Sequence, residues 1–309
     1  TIIATNWCPI SVAKMAMNPL TSAWDPLNST DWDNESITGT TYLRIKKDLS
    51  SLIVTDPLPG IIAVPHESDI TRIEALITGP FETPYCGGFF RFSIRCPPDY
   101  PIHPPRVKLL TTCNGTVRFN PNLYKNGKDV GRYVMPSPVW VLNSFNVVFV
   151  STLGPSWSPA LTLSTVLLSI QSLMNDKPYY NEPGYGKECP NVNPKDVETY
   201  NEIISHETIR VAVCDMIDNV NTDSHNCPDI LRKNIRLSIE RSFVEFYPHY
   251  EEVVQKNVFR SQRKMIDPFG GEERGVYDYN LLLKRLQNLK EKYEVSAQLS
   301  DADSESDMD

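Results

Sequence analysis

The chain has 309 residues, 40% hydrophobic and 22% charged, enough for one large domain or a domain with an extension, and enough to bury a core without disulfide staples. It carries 30 Lys+Arg against 38 Asp+Glu, a net charge of -8, which excludes a generally basic nucleic-acid binder. No apolar run reaches the roughly 18 residues a membrane helix needs, and no basic, then apolar, secretory leader opens the sequence, so neither membrane nor secretory targeting is expected. The chain starts at Thr1, so the natural start is expected to lie upstream.

The 7 cysteines include no Cys-x-x-Cys pair, and Cys214 and Cys227 flank His225 at a spacing that fits no common zinc site. Free thiols in a reducing compartment and no metal are therefore expected. There is no phosphate-binding Gly-x-x-x-x-Gly-Lys-Ser/Thr run and no Gly-x-Ser-x-Gly elbow.

In chain order, residues 1–39 mix Pro, Ser, Thr, Asn and Asp without a period and read as a poorly ordered segment. Trp7, Trp24 and Trp32 leave two options for it, docking on a surface or scattered aromatics in a tail. A helix is predicted over Thr41 to Ile53, with Ile45, Leu49, Leu52 and Ile53 on one face and Asp56-Pro57 as its stop. Four strands follow, at Ile61 to Val64, Ile70 to Thr78, Phe90 to Cys96 and Arg106 to Leu110. Short connections between them predict an antiparallel meander with one face against helices, an α+β fold. Beyond an irregular stretch from Thr111 to Ala160, helices are predicted over Thr162 to Met174, in two segments after Pro194, and over Asp278 to Tyr293. Residues 301–309, with five acidic side chains, read as solvated.

Several stretches in fixed order carry more information than their composition. They are Gly79-Pro80-Phe81-Glu82-Thr83-Pro84-Tyr85-Cys86-Gly87-Gly88, Cys96-Pro97-Pro98-Asp99-Tyr100-Pro101-Ile102-His103-Pro104-Pro105, the run from Phe119 to Lys128, and Trp157-Ser158-Pro159-Ala160. Together they resemble the core of the ubiquitin-conjugating enzymes. The segments His206 to Cys214 and Asp267-Pro268-Phe269-Gly270 are similar to the long C-terminal extension of the Z type of that family. The resemblance implies a conjugating core at 40–188, a helical extension at 189–293 and an acidic tail at 294–309.

It also implies a transferase of the cytoplasm and nucleus that binds no cofactor. In such an enzyme an activating enzyme uses ATP to pass ubiquitin or a ubiquitin-like modifier to a Cys as a thioester. A ligase then helps a substrate lysine attack it. The Z type is charged by a dedicated activating enzyme that also handles a ubiquitin-like modifier.

Aminolysis of a thioester builds negative charge on the carbonyl oxygen, and a nearby amide N–H lowers that barrier. By resemblance to the family's His-Pro-Asn motif, Asn120-Pro121-Asn122 makes Asn122 the oxyanion donor, with Asn120 in place of a mainly structural His. The alternative for Asn122 is a turn residue bonding its own backbone. The family's nucleophilic Cys follows Gly-Lys and one aliphatic residue, but here Gly127-Lys128 leads to Asp129-Val130. Val130 fills the nucleophile slot and cannot form a thioester.

Residues 129–153 do not match the family at all, and the match resumes at Gly154. This foreign stretch is longer than the family pattern expects, apolar and β-prone, an aggregation hazard. A splicing variant or translated intron explains its sharp edge; an inactive variant with a new loop is the other option. Resemblance further places activating-enzyme contacts at Lys46 and Lys47, and ligase contacts at Ile102, Pro159 and Ala160. Cys86, where the family usually has Glu, reads as an incidental substitution. The rival to an enzyme is a non-catalytic module that holds ubiquitin or a ligase.

Overall fold

The computed structural model describes residues 25–27, 30–123, 157–190, 192–221 and 229–306. Helix α1 (Gly39–Ser50) starts where the Thr38 side chain accepts from the Thr41 N–H, and it continues as a π-helical turn, Ser51–Thr55. Its buried side carries Thr41, Ile45, Asp48 and Leu49. Strands β1 (Ile61–Pro65), β2 (Arg72–Thr78), β3 (Phe89–Arg95) and β4 (Arg106–Leu109) form one antiparallel sheet in sequence order. Ile73 pairs with Ile94 and Ile94 with Val107, so the branched and aromatic side chains fall in one layer. That layer, with Ala75, Ile77, Phe90 and Phe92, packs on Ile45 and Leu49 of α1 and on Val166, Leu167 and Ile170 of α2 (Leu163–Leu173).

The sequence predicts one covered face; the structure covers both. Leu76 and Phe89 point to the other side and enter a second apolar cluster with residues of the C-terminal region. Helix α3 (Pro194–Glu207) and the π-helical continuation Thr208–Asp215 supply both clusters. Tyr200, Ile204 and Ala212 join the first, while Ile203, Ile209 and Val213 join the second. After α4 (Met216–Asn221), the long α5 (Asp229–Asn257) and α6 (Tyr279–Ser306) pack as a pair through Phe243, Tyr250, Leu282 and Leu286. A hairpin of β5 (Lys264–Ile266) and β6 (Glu273–Val276) lies between them in the chain. Helix α6 runs past the expected end at Tyr293 because no Gly or Pro interrupts residues 279–306.

The C-terminal region clamps the connection between β2 and β3. Gly79 and Gly88 close this loop by backbone hydrogen bonds, and the Tyr250 hydroxyl donates to the Gly87 carbonyl at 2.7 Å. Phe81 stacks on Phe246 at 4.8 Å. A Cβ on Gly88 would stand 2.7 Å from both the Phe90 ring and the Thr208 methyl, so only glycine fits where sheet and extension touch. Cys86 is buried in the second cluster, and burial pushes its thiol up to about 11. An apolar group there has a packing role under the extension. Of the three N-terminal tryptophans, Trp32 is described and takes the docking option, against Arg95 and Arg106 of the sheet; Trp7 and Trp24 lie outside the described residues.

Where α3 gives way to its π continuation, Glu207 is buried between two donors. His206 Nδ1 lies 2.9 Å from Glu207 Oε1, Arg210 Nε donates to the same oxygen at 3.0 Å, and His206 Nε2 accepts from the Asp278 backbone. Burial alone would raise the Glu207 carboxyl, but the bonds from His206 and Arg210 outweigh it and hold it at about 2.

Two outcomes are expected. Gly88→Ala overpacks the seam and lowers stability by about 1–3 kcal/mol in chemical denaturation. Glu207, depressed from 4.5 to about 2, stabilises the fold above pH 4.5, a contribution of about 3 kcal/mol that is lost as the pH falls toward 2. Glu207→Gln should therefore flatten the stability profile across that window; an unchanged acid slope would show that the triad contributes nothing.

Candidate active site

The turn after Phe119 is built around a fully buried amide. Asn120 Nδ2 donates to the Tyr85 hydroxyl at 2.9 Å and to the Leu173 carbonyl at 2.8 Å, while its Oδ1 accepts from the Asn122 N–H at 2.9 Å. Tyr85 in turn donates to the Phe119 carbonyl at 2.7 Å. Burial raises the Tyr85 phenol well above its ordinary value, so it remains a donor. Asn120 thus ties the turn to the loop before β3 and to the end of α2. The short-range turn bond offered as the alternative for Asn122 belongs to Asn120 instead.

Asn122 is 5% exposed, and its Nδ2 donates to the Asn181 carbonyl at 3.2 Å. A primary amide has two N–H donors, so one remains for an oxyanion. Asn122 Oδ1 is buried and has no hydrogen-bond partner among the described residues. Val130 and the whole of 129–153 lie outside the described residues, so the structure places Asn122 and says nothing of the nucleophile slot.

The C-terminal hairpin reaches this turn from two sides. Arg274 Nη1 donates to the Arg118 carbonyl at 3.1 Å, and the Arg118 guanidinium bonds the Pro121 carbonyl and Glu182. Phe269 stacks on Tyr179 with centroids 4.5 Å apart and rings 5° from parallel, among Tyr185 and Tyr200. Tyr179 belongs to the 3-10 turn Pro178–Asn181 that presents the Asn181 carbonyl to Asn122. The sequence gives Asp267-Pro268-Phe269-Gly270 as a motif but not this role, because its partners lie far away in the chain.

The proposed contact residues form a separate rim. Lys46 and Lys47 are exposed on α1, and Ile102 is 65% exposed; Pro159 and Ala160 are exposed too. The two loops meet where Trp157 Nε1 donates to the Pro101 carbonyl at 2.9 Å. They are tied to α1 by residues the sequence reading passed over. Arg44 donates to the Pro159 and Leu161 carbonyls, and the buried Asp48 accepts from Arg44, from the Tyr100 hydroxyl at 2.6 Å and from the Leu163 N–H. Burial and the bond to Asp48 push the Tyr100 phenol well up. The signal for Asp48 was available: a lone carboxylate three positions after Ile45 and one before Leu49, on the apolar face of α1.

Residues 44–208 match the family model described as ubiquitin-conjugating enzyme. The chain is 50% identical over 277 residues to ubiquitin-conjugating enzyme E2 Z of Xenopus tropicalis, a span covering 89% of this chain and 80% of that one. This chain belongs to the ubiquitin-conjugating enzyme family. It is also 48% identical over 290 residues to human ubiquitin-conjugating enzyme E2 Z, covering 94% of this chain and 73% of that protein. A more distant similarity, 34% over 183 residues, is to the human dual E2 ubiquitin-conjugating enzyme/E3 ubiquitin-protein ligase BIRC6, covering 57% of this chain and 4% of the other. The two E2 Z alignments are longer than the family match, so the likeness to those proteins includes residues of the extension.

In this member of the family, Phe269→Ala is expected to loosen the candidate site at a distance. Amide hydrogen exchange over residues 118–123 and 178–182 should accelerate, while the exposed Leu281→Ala leaves both segments unchanged. Asn120→Ala should cost about 2–4 kcal/mol, because it leaves the buried Asn122 N–H without its partner.

Proposed function

We propose that this chain is the scaffold of a Cys-dependent ubiquitin-conjugating transferase whose nucleophile segment is missing from the sequence as it stands. The observation that carries this reading is the Asn120-Pro121-Asn122 turn, closed by Asn120 and leaving an amide N–H of Asn122 free to donate. In the complete enzyme a Cys near position 130 takes the modifier from an activating enzyme as a thioester. A lysine amine then attacks the thioester carbonyl, the oxygen gains negative charge, the amine loses its proton and the Cys thiolate leaves. The Asn122 N–H stabilises the oxyanion, an interaction made in the transition state rather than in the ground state.

The rim fits the partners of such an enzyme. Lys46 and Lys47 offer cations to an activating enzyme. Ile102 with Pro159 and Ala160 offers a ligase a small apolar patch on loops held together by the Trp157 bond. A second reading, a non-catalytic module that holds ubiquitin or a ligase, is favoured by one fact: no Cys occurs between Cys113 and Cys189. Arg210 Nη1 lies 3.8 Å from the half-buried Cys113, which sits in no matching motif, and neither does Cys189.

The chain is expected to form no dithiothreitol-sensitive adduct with ubiquitin when mixed with activating enzyme and ATP; such a band would defeat the assignment of the slot to Val130. Exchanging residues 129–153 for a family-like segment with Cys two positions after Lys128 should restore charging. In that exchanged chain, Asn122→Ala should slow discharge to free lysine on the order of 100-fold while leaving charging nearly intact. A folded exchanged chain that still fails to charge would favour the binding module. Equal losses in both steps would make Asn122 a structural residue.

A further inference from the structure

The face of the sheet turned away from α1 carries a row of cations: Arg72 in β2, Arg95 in β3, Arg106 and Lys108 in β4. The register sets Arg72 opposite Arg95 and Arg95 opposite Arg106. Like charges placed directly across strands repel, so this stripe needs anions above it.

Residues 25–33 supply them. Asp25 meets Lys108 at 2.6 Å, Asp31 meets Arg106 at 2.9 Å, and Asp33 bridges Arg95 at 2.6 Å and Arg72 at 3.2 Å. Trp32 lies against the same stripe, with the Arg106 and Arg95 guanidinium carbons 3.7 and 5.4 Å from its ring centre. Under this cover Arg95 is only 3% exposed.

The way the segment is held defines what the stripe recognises. Its backbone N–H bonds are internal, Asp33 N–H to the Thr30 carbonyl and Glu35 N–H to the Trp32 carbonyl, and one backbone carbonyl, that of Pro26, accepts from the Arg72 side chain at 3.4 Å. Among the described residues no backbone–backbone hydrogen bond joins it to the sheet. Apart from that carbonyl, attachment is by side chains: carboxylates on four cations and an indole on two guanidiniums. Any chain that places an aromatic ring between carboxylates can present the same groups.

The geometry points to a docking surface for an acidic segment of a partner protein, one with an aromatic residue flanked by carboxylates, which Asp25, Asp31, Trp32 and Asp33 of this chain occupy in cis. Five residues separate Asp33 from the start of α1, so the cis segment acts at an effective concentration in the millimolar range, and a partner must outcompete it. The surface is closed in the isolated chain and opens only to a segment that matches its spacing of charge and ring.

The test uses the full chain and a fluorescein-labelled peptide with the sequence of residues 25–36. The variant Asp25→Lys/Asp31→Lys/Asp33→Lys turns the cis segment against the stripe. It should bind the peptide at least about tenfold more tightly than the unaltered chain, and raising the salt to about 0.5 M should remove most of that binding. Trp32→Ala, which keeps every charge, should give a smaller gain in the same direction, so the result does not hang on the triple variant folding. Arg106→Glu added to either variant should abolish the gain, and a peptide with its Trp replaced by Ala should bind weakly. Equal binding to the variants and the unaltered chain, or binding that survives Arg106→Glu, would overturn the proposal.

Discussion

Strands β2 and β3 are covered by side chains on both faces, and the arrangement of the rest follows from that constraint. An antiparallel sheet commonly leaves one face to water. Here Leu76 and Phe89 on the second face require an apolar cover, and the helices after Pro194 provide it. The α3 helix and its π continuation feed both clusters, so the extension is part of the core rather than an appendage. The Gly79–Gly88 loop is the point of closest contact, where Gly87 and Gly88 admit Tyr250, Phe246 and Thr208.

The same coupling reaches the candidate site. The Asn120-Pro121-Asn122 turn hangs from Tyr85, which lies in the loop clamped by Tyr250 through Gly87. Its other supports, Arg118 and the 3-10 turn that carries Asn181, are held by Arg274 and Phe269 of the C-terminal hairpin. The geometry of the Asn122 turn is therefore set by residues far along the chain.

Much of this was legible in the sequence, for local reasons. The period-two run from Phe90 to Cys96 reports a strand because its own alternation does, and Ile45, Leu49 and Leu52 report a helix face. The Pro-rich motifs in order point to the family. What was not legible depends on partners distant in sequence. Phe89 falls just outside the strand predicted from Phe90, and its place in the second apolar cluster follows only once the C-terminal region is packed on the sheet. Asp48 reads as a helix polar residue until Tyr100 and Leu163 converge on it. Phe269 belongs to a recognisable motif, yet its stack on Tyr179 follows only from the hairpin's docking. Asn120, taken as a bland replacement for His, proves to satisfy three hydrogen bonds that close the turn.

The account rests on core and extension forming one cooperative unit, and native-state hydrogen exchange tests that most directly. The amides of Phe90 in β3 and Tyr250 in α5 should share one opening free energy and one denaturant dependence, that of global unfolding. Exchange of Tyr250 through a lower-energy opening, with Phe90 still protected, would contradict it. The extension would then be an independent module, and its hold on the Asn122 turn would have to be given up.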